Sequence, residues 1–247
     1  MAGNIIVTAL IVIILIVAAA TATIIFIINY RHDIELLQTV STIDRGTWSE
    51  RRLVVRLLHL GIPPDSIFHD LYVHKYGNAF AQIDTVAITN AGILVFEVKD
   101  YSGWIFGHGY HQYWTQVLAY GREKYRFYNP ILQNQGHIDA LRKKLKSHGN
   151  LPIWSIIVFY GNCQLRDINS IPANTFVIKP YNIHKIISSI LTNNPTITDD
   201  VKIATSQILK EAVYNGSDPA LRAEHINRLN KSLNANPSTV KKRNFWI

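Results

Sequence analysis

Cysteine is nearly missing from this chain. Its one copy, Cys163 in "VFYGNCQLRD", excludes a disulfide framework and fits a reducing compartment. The residue reads as a small, half-buried group after a strand, not as a nucleophile. Internal repeats and low-complexity tracts are also missing, which excludes repeat architectures and leaves 247 residues for one sizeable domain with appendages. Acid is the scarcer charge. Seventeen Asp and Glu against 25 Lys and Arg leave a net charge of +8, which points to an anionic partner, nucleic acid or a membrane surface.

Charge of either sign is absent from Ile5 to Ile28, "IIVTALIVIILIVAAATATIIFII". As a helix this run spans roughly 36 Å, against a hydrocarbon core of about 30 Å. The small residues at 18–22 would suit a cleaved signal peptide. However, no Lys or Arg precedes the run, and it exceeds a typical signal core. A transmembrane anchor over residues 1–30 is therefore expected, with membrane contact through 5–28. Arg31 is the first charge after it, and the remainder is basic, so the positive-inside rule places residues 31–247 in the cytoplasm.

Residues 31–43 read as a juxtamembrane helix or linker. "TWSERRLVVRLLHLG" (47–61) has helical spacing at Leu53, Val54, Leu57 and Leu58, ended by Gly61. Strands are expected at 66–73, 79–89 and 92–100, with "HKYGN" turning between the first two. A hairpin follows at 103–107 and 113–120. A helix at 129–149 has Pro130 near its start. Short apolar strands at 153–160 and 175–180 and a helix at 181–191 come next. Residues 192–247 read as a polar helical extension with a basic tail, "KKRNFWI". This order implies an α/β fold with a mixed β-sheet flanked by helices.

"GILVFEVKD" (92–100) puts two charges inside a buried strand. Alternation places Ile93, Val95, Glu97 and Lys99 on one face. If "TNAG" (89–92) is a symmetric turn pairing Thr89 with Gly92, Asp84 falls opposite Glu97, with Cβ atoms about 4.5–5.5 Å apart. Two bare carboxylates at that distance repel by about 3 kcal/mol at an effective dielectric near 20. A shared proton, Lys99 or a bridging divalent cation would each offset this. Asp, Glu and Lys so placed have the parts for metal-assisted phosphodiester hydrolysis. By itself the triplet fits a solvated Glu97–Lys99 pair equally well.

Glu50 faces the sheet from its helix, but Thr47-Trp48-Ser49-Glu50 also fits a capping box. Gln133 and His137 form an i, i+4 polar pair beside the apolar stripe of their helix, facing either the groove or solvent. "REKYRFY" (122–128) interleaves Arg122, Lys124 and Arg126 with Tyr125, Phe127 and Tyr128. That mix suits phosphate contacts with base stacking, or a solvated surface.

Taken together, "GTWSE" (46–50), "QIDTVAITNAGILVFEVKDYSG" (82–103), "YWTQ" (113–116) and "NPILQNQGHIDAL" (129–141) resemble the nuclease-related domain, NERD, of the PD-(D/E)xK nuclease superfamily. The match covers roughly residues 44–160, within a domain drawn at 44–191. The resemblance implies a restriction-endonuclease-like core and Mg²⁺- or Mn²⁺-dependent cleavage of DNA, leaving a 5′-phosphate and a 3′-hydroxyl. Asp84 and Glu97 resemble the metal ligands, and Lys99 the catalytic lysine. Glu50 resembles the acid of the first helix, and Gln133 the glutamine of the late helix. Tyr113, Trp114, Gln116, Arg122, Lys124, Arg126 and His137 are the candidate nucleic-acid contacts. Anchoring would favour DNA near the membrane, foreign DNA included. The alternative is a catalytically inactive nucleic-acid-binding or membrane-associated scaffold or signalling module on the same fold. The expected nucleic acid is DNA, with RNA left open.

Overall fold

A computed structural model describes residues 2–74, 80–146 and 151–218, with isolated positions at 220, 223 and 227. The expected turn at "HKYGN" lies almost wholly outside the described residues, as do the end of the 129–149 helix and the "KKRNFWI" tail.

Helix α1 (Ala2–Gln38) carries the apolar run and is long and apolar enough to cross a membrane. It continues unbroken into residues 29–38, so the segment after the run is helical as far as Gln38. Its last turn docks on the domain through buried Leu37. Helix α2 (Trp48–His59) begins at Thr47, whose hydroxyl accepts from the Glu50 amide. That satisfies one of the free donors at the helix start.

Two sheets follow. In the first, β1 (Ile67–His74), β2 (Phe80–Thr89) and β3 (Gly92–Asp100) form an antiparallel meander. Strands β7 (Ile153–Tyr160) and β9 (Thr175–Ile178) then extend it parallel to β3. The second has the order β6-β5-β4-β8, from β4 (Gly103–His108), β5 (Tyr113–Leu118), β6 (Glu123–Tyr128) and β8 (Cys163–Asn169). Helices α3 (Pro130–Lys144), α4 (Ile183–Asn193) and α5 (Asp199–Ser217) complete the chain. The mixed sheet flanked by helices is as expected, but it comes as two sheets.

The two sheets share one parallel backbone. Strands β3 and β7 pair with an offset of 60 residues, from Ile93–Ile153 to Asp100–Tyr160, and Gly103–Cys163 resumes the same offset between β4 and β8. Gly103 and Gly161 hold positive φ where both strands bend into the second sheet. A parallel pair needs a long crossover, and the chain between β4 and β7, including α3, supplies it.

β6 and β8 are strands beyond those expected from the sequence. In β8 a bulge between Ile105 and Phe106 on the neighbouring strand shifts the register, so the inward residues run Cys163, Leu165, Ile168 and break the period of two. In β6 the alternation of Lys124, Tyr125, Arg126 and Phe127 is that of a half-exposed edge strand, a signal the expected hairpin at 103–107 and 113–120 stopped short of.

β3 is buried on both faces. Leu94, Phe96 and Val98 pack with Leu53, Leu57 and Ile187 of α2 and α4. Ile93 and Val95 pack with Ile138, Leu141 and Leu209 of α3 and α5. The β2–β3 ladder runs from Thr89–Gly92 to Thr85–Phe96, the register that a two-residue turn dictates. Gly92 sits at φ +113°, and a Cβ there would collide with the Pro152 carbonyl, which accepts from the Ile93 amide at 2.9 Å. Gly92→Ala should therefore lower the unfolding free energy by about 1–3 kcal/mol. Thermal denaturation of the full chain in detergent would check this, and an unchanged midpoint would refute it.

Candidate active site

The site is built where the first sheet breaks its own pairing. On one side of Asp84, β1 pairs through His69–Thr85 and Leu71–Ile83 but skips Asp70–Asp84. On the other side the β2–β3 ladder ends at Thr85–Phe96. Asp70, fully buried, takes φ +54°, a conformation Asp tolerates better than most residues. Arg45 holds it in place, donating from Nε to the carboxylate at 3.3 Å and from Nη2 to the Asp70 carbonyl at 2.7 Å. Gln82 donates to the other carboxylate oxygen at 2.8 Å. In the gap, the Asp84 carboxylate takes the Val98 amide at 2.7 Å, in place of a strand carbonyl.

Glu97 is 1% exposed. One of its oxygens meets Lys99 Nζ in a short ion pair, and the other lies 3.2 Å from His137 Nε2 on α3. Lys99 also donates to Gln133 Oε1 at 3.1 Å, so α3 holds both partners of β3 in place. Glu50 divides its oxygens. Oε1 accepts from the Thr47 hydroxyl at 2.8 Å, while Oε2 faces His69 Nε2 at 3.8 Å. The capping role and the inward-facing role therefore coexist. His69 is buried, and its Nδ1 bonds Ser41 Oγ at 2.8 Å.

Electrostatics follow from this crowding. Burial, then the charges of Glu97 and Glu50, push Asp84 well above the usual carboxylate range, against the pull of Lys99. For Glu97, burial opposes ionisation, but Lys99 and His137 outweigh it and the net shift is down. Glu50 is likewise lowered, burial being overcome by His69 and Thr47. For Lys99, burial is overcome by Glu97 and Asp84, and the net shift is up. The site thus holds a charged Lys99–Glu97 pair beside an Asp84 that resists ionising.

Such a set suits a hard cation. Glu97 Oε2 and Glu50 Oε2 are buried oxygens that each face one imidazole, His137 at 3.2 Å and His69 at 3.8 Å, without a well-formed hydrogen bond. Among the described residues, no group of three or more His, Cys, Asp or Glu side chains is arranged to cage a metal. An ion that takes one or two carboxylates and fills its other positions with water and phosphate oxygens, as Mg²⁺ does, requires no such cage.

The residues of "YWTQ" and "REKYRFY" lie away from this point, on the second sheet. Trp114 is 1% exposed, stacks on Phe159 and donates to the His108 carbonyl at 3.0 Å, so it is core and presents no surface for a ligand. Gln116 donates to the Ser102 carbonyl at 2.8 Å. Tyr113, Lys124 and Arg126 share the outer face with Tyr128, and Arg126 lies 4.8 Å over the Tyr113 ring. Arg122 is exposed at the start of β6. Pattern reading missed His69, Asp70 and Arg45. Two adjacent polar residues inside the apolar strand "SIFHDLYV" are the same kind of signal that singled out Glu97 and Lys99. Asn134 was missed as well; buried on α3, it donates to the Val95 carbonyl at 3.0 Å and to Ser155 Oγ at 2.9 Å, locking α3 against the sheet.

Fold and site together define an α/β domain that gathers an Asp and a Glu-x-Lys pair on adjoining strands under a Gln- and His-bearing helix. Residues 45–160 match the nuclease-related domain, NERD. An uncharacterized protein of Bacillus anthracis is 31% identical over 181 residues, covering 72% of this chain and 81% of that one. The chain belongs to the nuclease-related domain family. No solved structure gives a significant match.

Proposed function

We propose that the protein is a membrane-anchored, divalent-metal-dependent nuclease that hydrolyses phosphodiester bonds of DNA on the cytoplasmic side. The observation that carries this reading is Glu97, buried between Lys99 and His137 beside an Asp84 that burial and like charge hold back from ionising. A pure binding module has no use for adjoining buried carboxylates at a phosphate site. Family membership supports the nuclease class.

Asp84 and Glu97 would hold Mg²⁺ or Mn²⁺, which would polarise the scissile phosphate and acidify a water. Lys99, oriented by Gln133, orients the attacking water or steadies the phosphate charge. His137 lies against the second Glu97 oxygen and favours its ionised form. Glu50, set by Thr47 and His69, adds negative charge beside Asp84. Asn134 keeps α3, and with it Gln133 and His137, in register with β3. The test is cleavage of plasmid and linear DNA by the full chain in detergent with Mg²⁺, Mn²⁺ or EDTA, beside Lys99→Ala. Metal-dependent cleavage lost in the variant is expected. No cleavage by the wild type in any metal, or equal cleavage by the variant, would sink the proposal.

The outer face of the second sheet supports nucleic acid as the partner. It combines Tyr113, Tyr128 and Trp104 with Lys124, Arg126 and Arg166, and Arg166 lies 5.1 Å over the Trp104 ring. Aromatic faces between cations suit base stacking with phosphate contacts. Replacing Lys124 and Arg126 by Ala should weaken single-stranded DNA binding and flatten the slope of log affinity against log salt by about 1–2. Fluorescence anisotropy across a salt series reads this; an unaltered slope would remove this face from the binding surface.

A further inference from the structure

α2 turns a second charged stripe away from the catalytic carboxylates. Trp48, Arg52, Arg56 and His59 recur at helical spacing and line a cleft of about 410 Å³, with Asp33 of α1 and Tyr160 of β7. The cleft has cationic walls. Neither Arg52 nor Arg56 forms an ion pair among the described residues. Arg52 lies 5.0 Å over the exposed Trp48 ring. Asp33, the acidic member, is engaged by His59 at 2.8 Å.

Tyr160 is the second observation. It is 7% exposed, lines the cleft, and its hydroxyl is buried without a hydrogen-bond partner. Leaving such a group unsatisfied is costly, and a ligand oxygen would remove the cost. Burial pushes this phenol up to about 12, against Arg56 and Arg52, so at neutral pH it remains a donor. Two guanidiniums and one phenolic O–H converge on what a phosphate group needs.

The position of the cleft selects the source of that phosphate. Asp33 lies five residues beyond Ile28, where the apolar run ends, so along α1 it sits about 7.5 Å past the run. The headgroup layer extends about 5–8 Å beyond the hydrocarbon on each side. Tyr30, exposed and stacked with Phe26, marks the same interface. Nucleic acid is the less favoured occupant. Tyr160 packs with Val158 and Ile156 on the α2 side of the first sheet, whereas Glu97 and Lys99 face α3.

We infer that the cleft between α1 and α2 binds the headgroup phosphate of an anionic phospholipid and so fixes the domain against the membrane. The inference rests on α1 being a membrane anchor. The site holds the domain at a set height and orientation, with the DNA-facing side of the sheet turned from the lipid.

The test uses the full chain in neutral detergent, titrated with dioctanoyl-phosphatidylglycerol or dioctanoyl-phosphatidylcholine and read by native mass spectrometry. The expected result is preferential retention of phosphatidylglycerol. Retention should fall at least about tenfold in Arg52→Gln/Arg56→Gln and about threefold in Tyr160→Phe, with no thermal midpoint lowered. Equal retention of both lipids, or undiminished retention by the double variant, would overturn the inference. So would binding of inorganic phosphate as strong as that of the lipid. Loss of oligo-dT binding in the double variant without loss of lipid would assign the cleft to nucleic acid and overturn it too. Alkaline extraction of membranes carrying the full chain separates the two readings. A chain released into the supernatant defeats the anchor itself, while an embedded chain with indifferent variants defeats only the lipid site.

Discussion

Asp84→Asn is expected to melt higher than the wild type in metal-free buffer and to cleave DNA slower by at least about 10²-fold. The substitution keeps an oxygen for the Val98 amide, so the local hydrogen bond survives. What it removes is a charge that burial, Glu97 and Glu50 all oppose. The gain should be about 1–2 kcal/mol at pH 8 with EDTA, the usual size for relief of a functional site.

Its pH dependence has a definite sign. The folded Asp84 holds its proton to higher pH than the unfolded one, which ionises near 4. The stability tied to the neutral carboxyl is therefore complete below about pH 4 and is lost as pH rises through the raised folded value. Glu97 and Glu50, lowered in the fold, behave oppositely: their contributions are present at neutral pH and lost only as acid protonates them. The Asp84→Asn advantage should thus grow from mildly acidic to mildly alkaline pH. Mg²⁺ or Mn²⁺ should raise the wild-type midpoint and close the gap. Scanning calorimetry at pH 5 and pH 8, with and without metal, reads all of this. A destabilised variant, or one that cleaves at the wild-type rate, would refute the assignment.

Trp114→Ala is expected to cost about 3–5 kcal/mol of stability, whereas Tyr113→Ala, one residue earlier, should cost less than about 1 kcal/mol. Trp114 fills the space between the sheets. Its ring centroid lies 6.1 Å from that of Phe159 at an interplanar angle of 2°, and Phe127 meets it edge-on at 6.2 Å. Gly107 lies so close to the ring that a Cβ there would collide with it. Tyr113 points the other way, towards Tyr128 and Arg126 on the open face. Its removal should instead weaken oligo-dT binding by about 5–100-fold, the usual worth of a stacked base. Thermal midpoints with anisotropy titrations separate the two, and similar midpoints for both variants would contradict the packing.

Much of the molecule follows from residue order. The uncharged run of 24 residues reads as a helix long and apolar enough to cross a membrane, since length and apolarity alone set that. The two residues between Thr89 and Gly92 set the β2–β3 register, because a short turn leaves a hairpin little freedom to slip. Alternation then put Glu97 and Lys99 on one face. These are local rules, read from contiguous residues.

What lay beyond them came from contacts distant in sequence. Pattern could not show that β8 is a strand, because a bulge facing a partner 60 residues away shifts its inward positions. It could not tell Trp114 from Tyr113, since alternation separates two faces without saying which meets Phe159. Nor could it decide whether Glu50 caps its helix or faces the carboxylates. The structure has it do both, because a carboxylate has two oxygens and His69, 19 residues on, stands opposite the second. The break that admits Asp84 depends on Asp70, turned into a left-handed conformation by Arg45 and Gln82 from either side in sequence. Periodicity reports the face a side chain takes. Only the packed chain decides what that face meets, and a site of opposed buried charges exists only where several such meetings coincide.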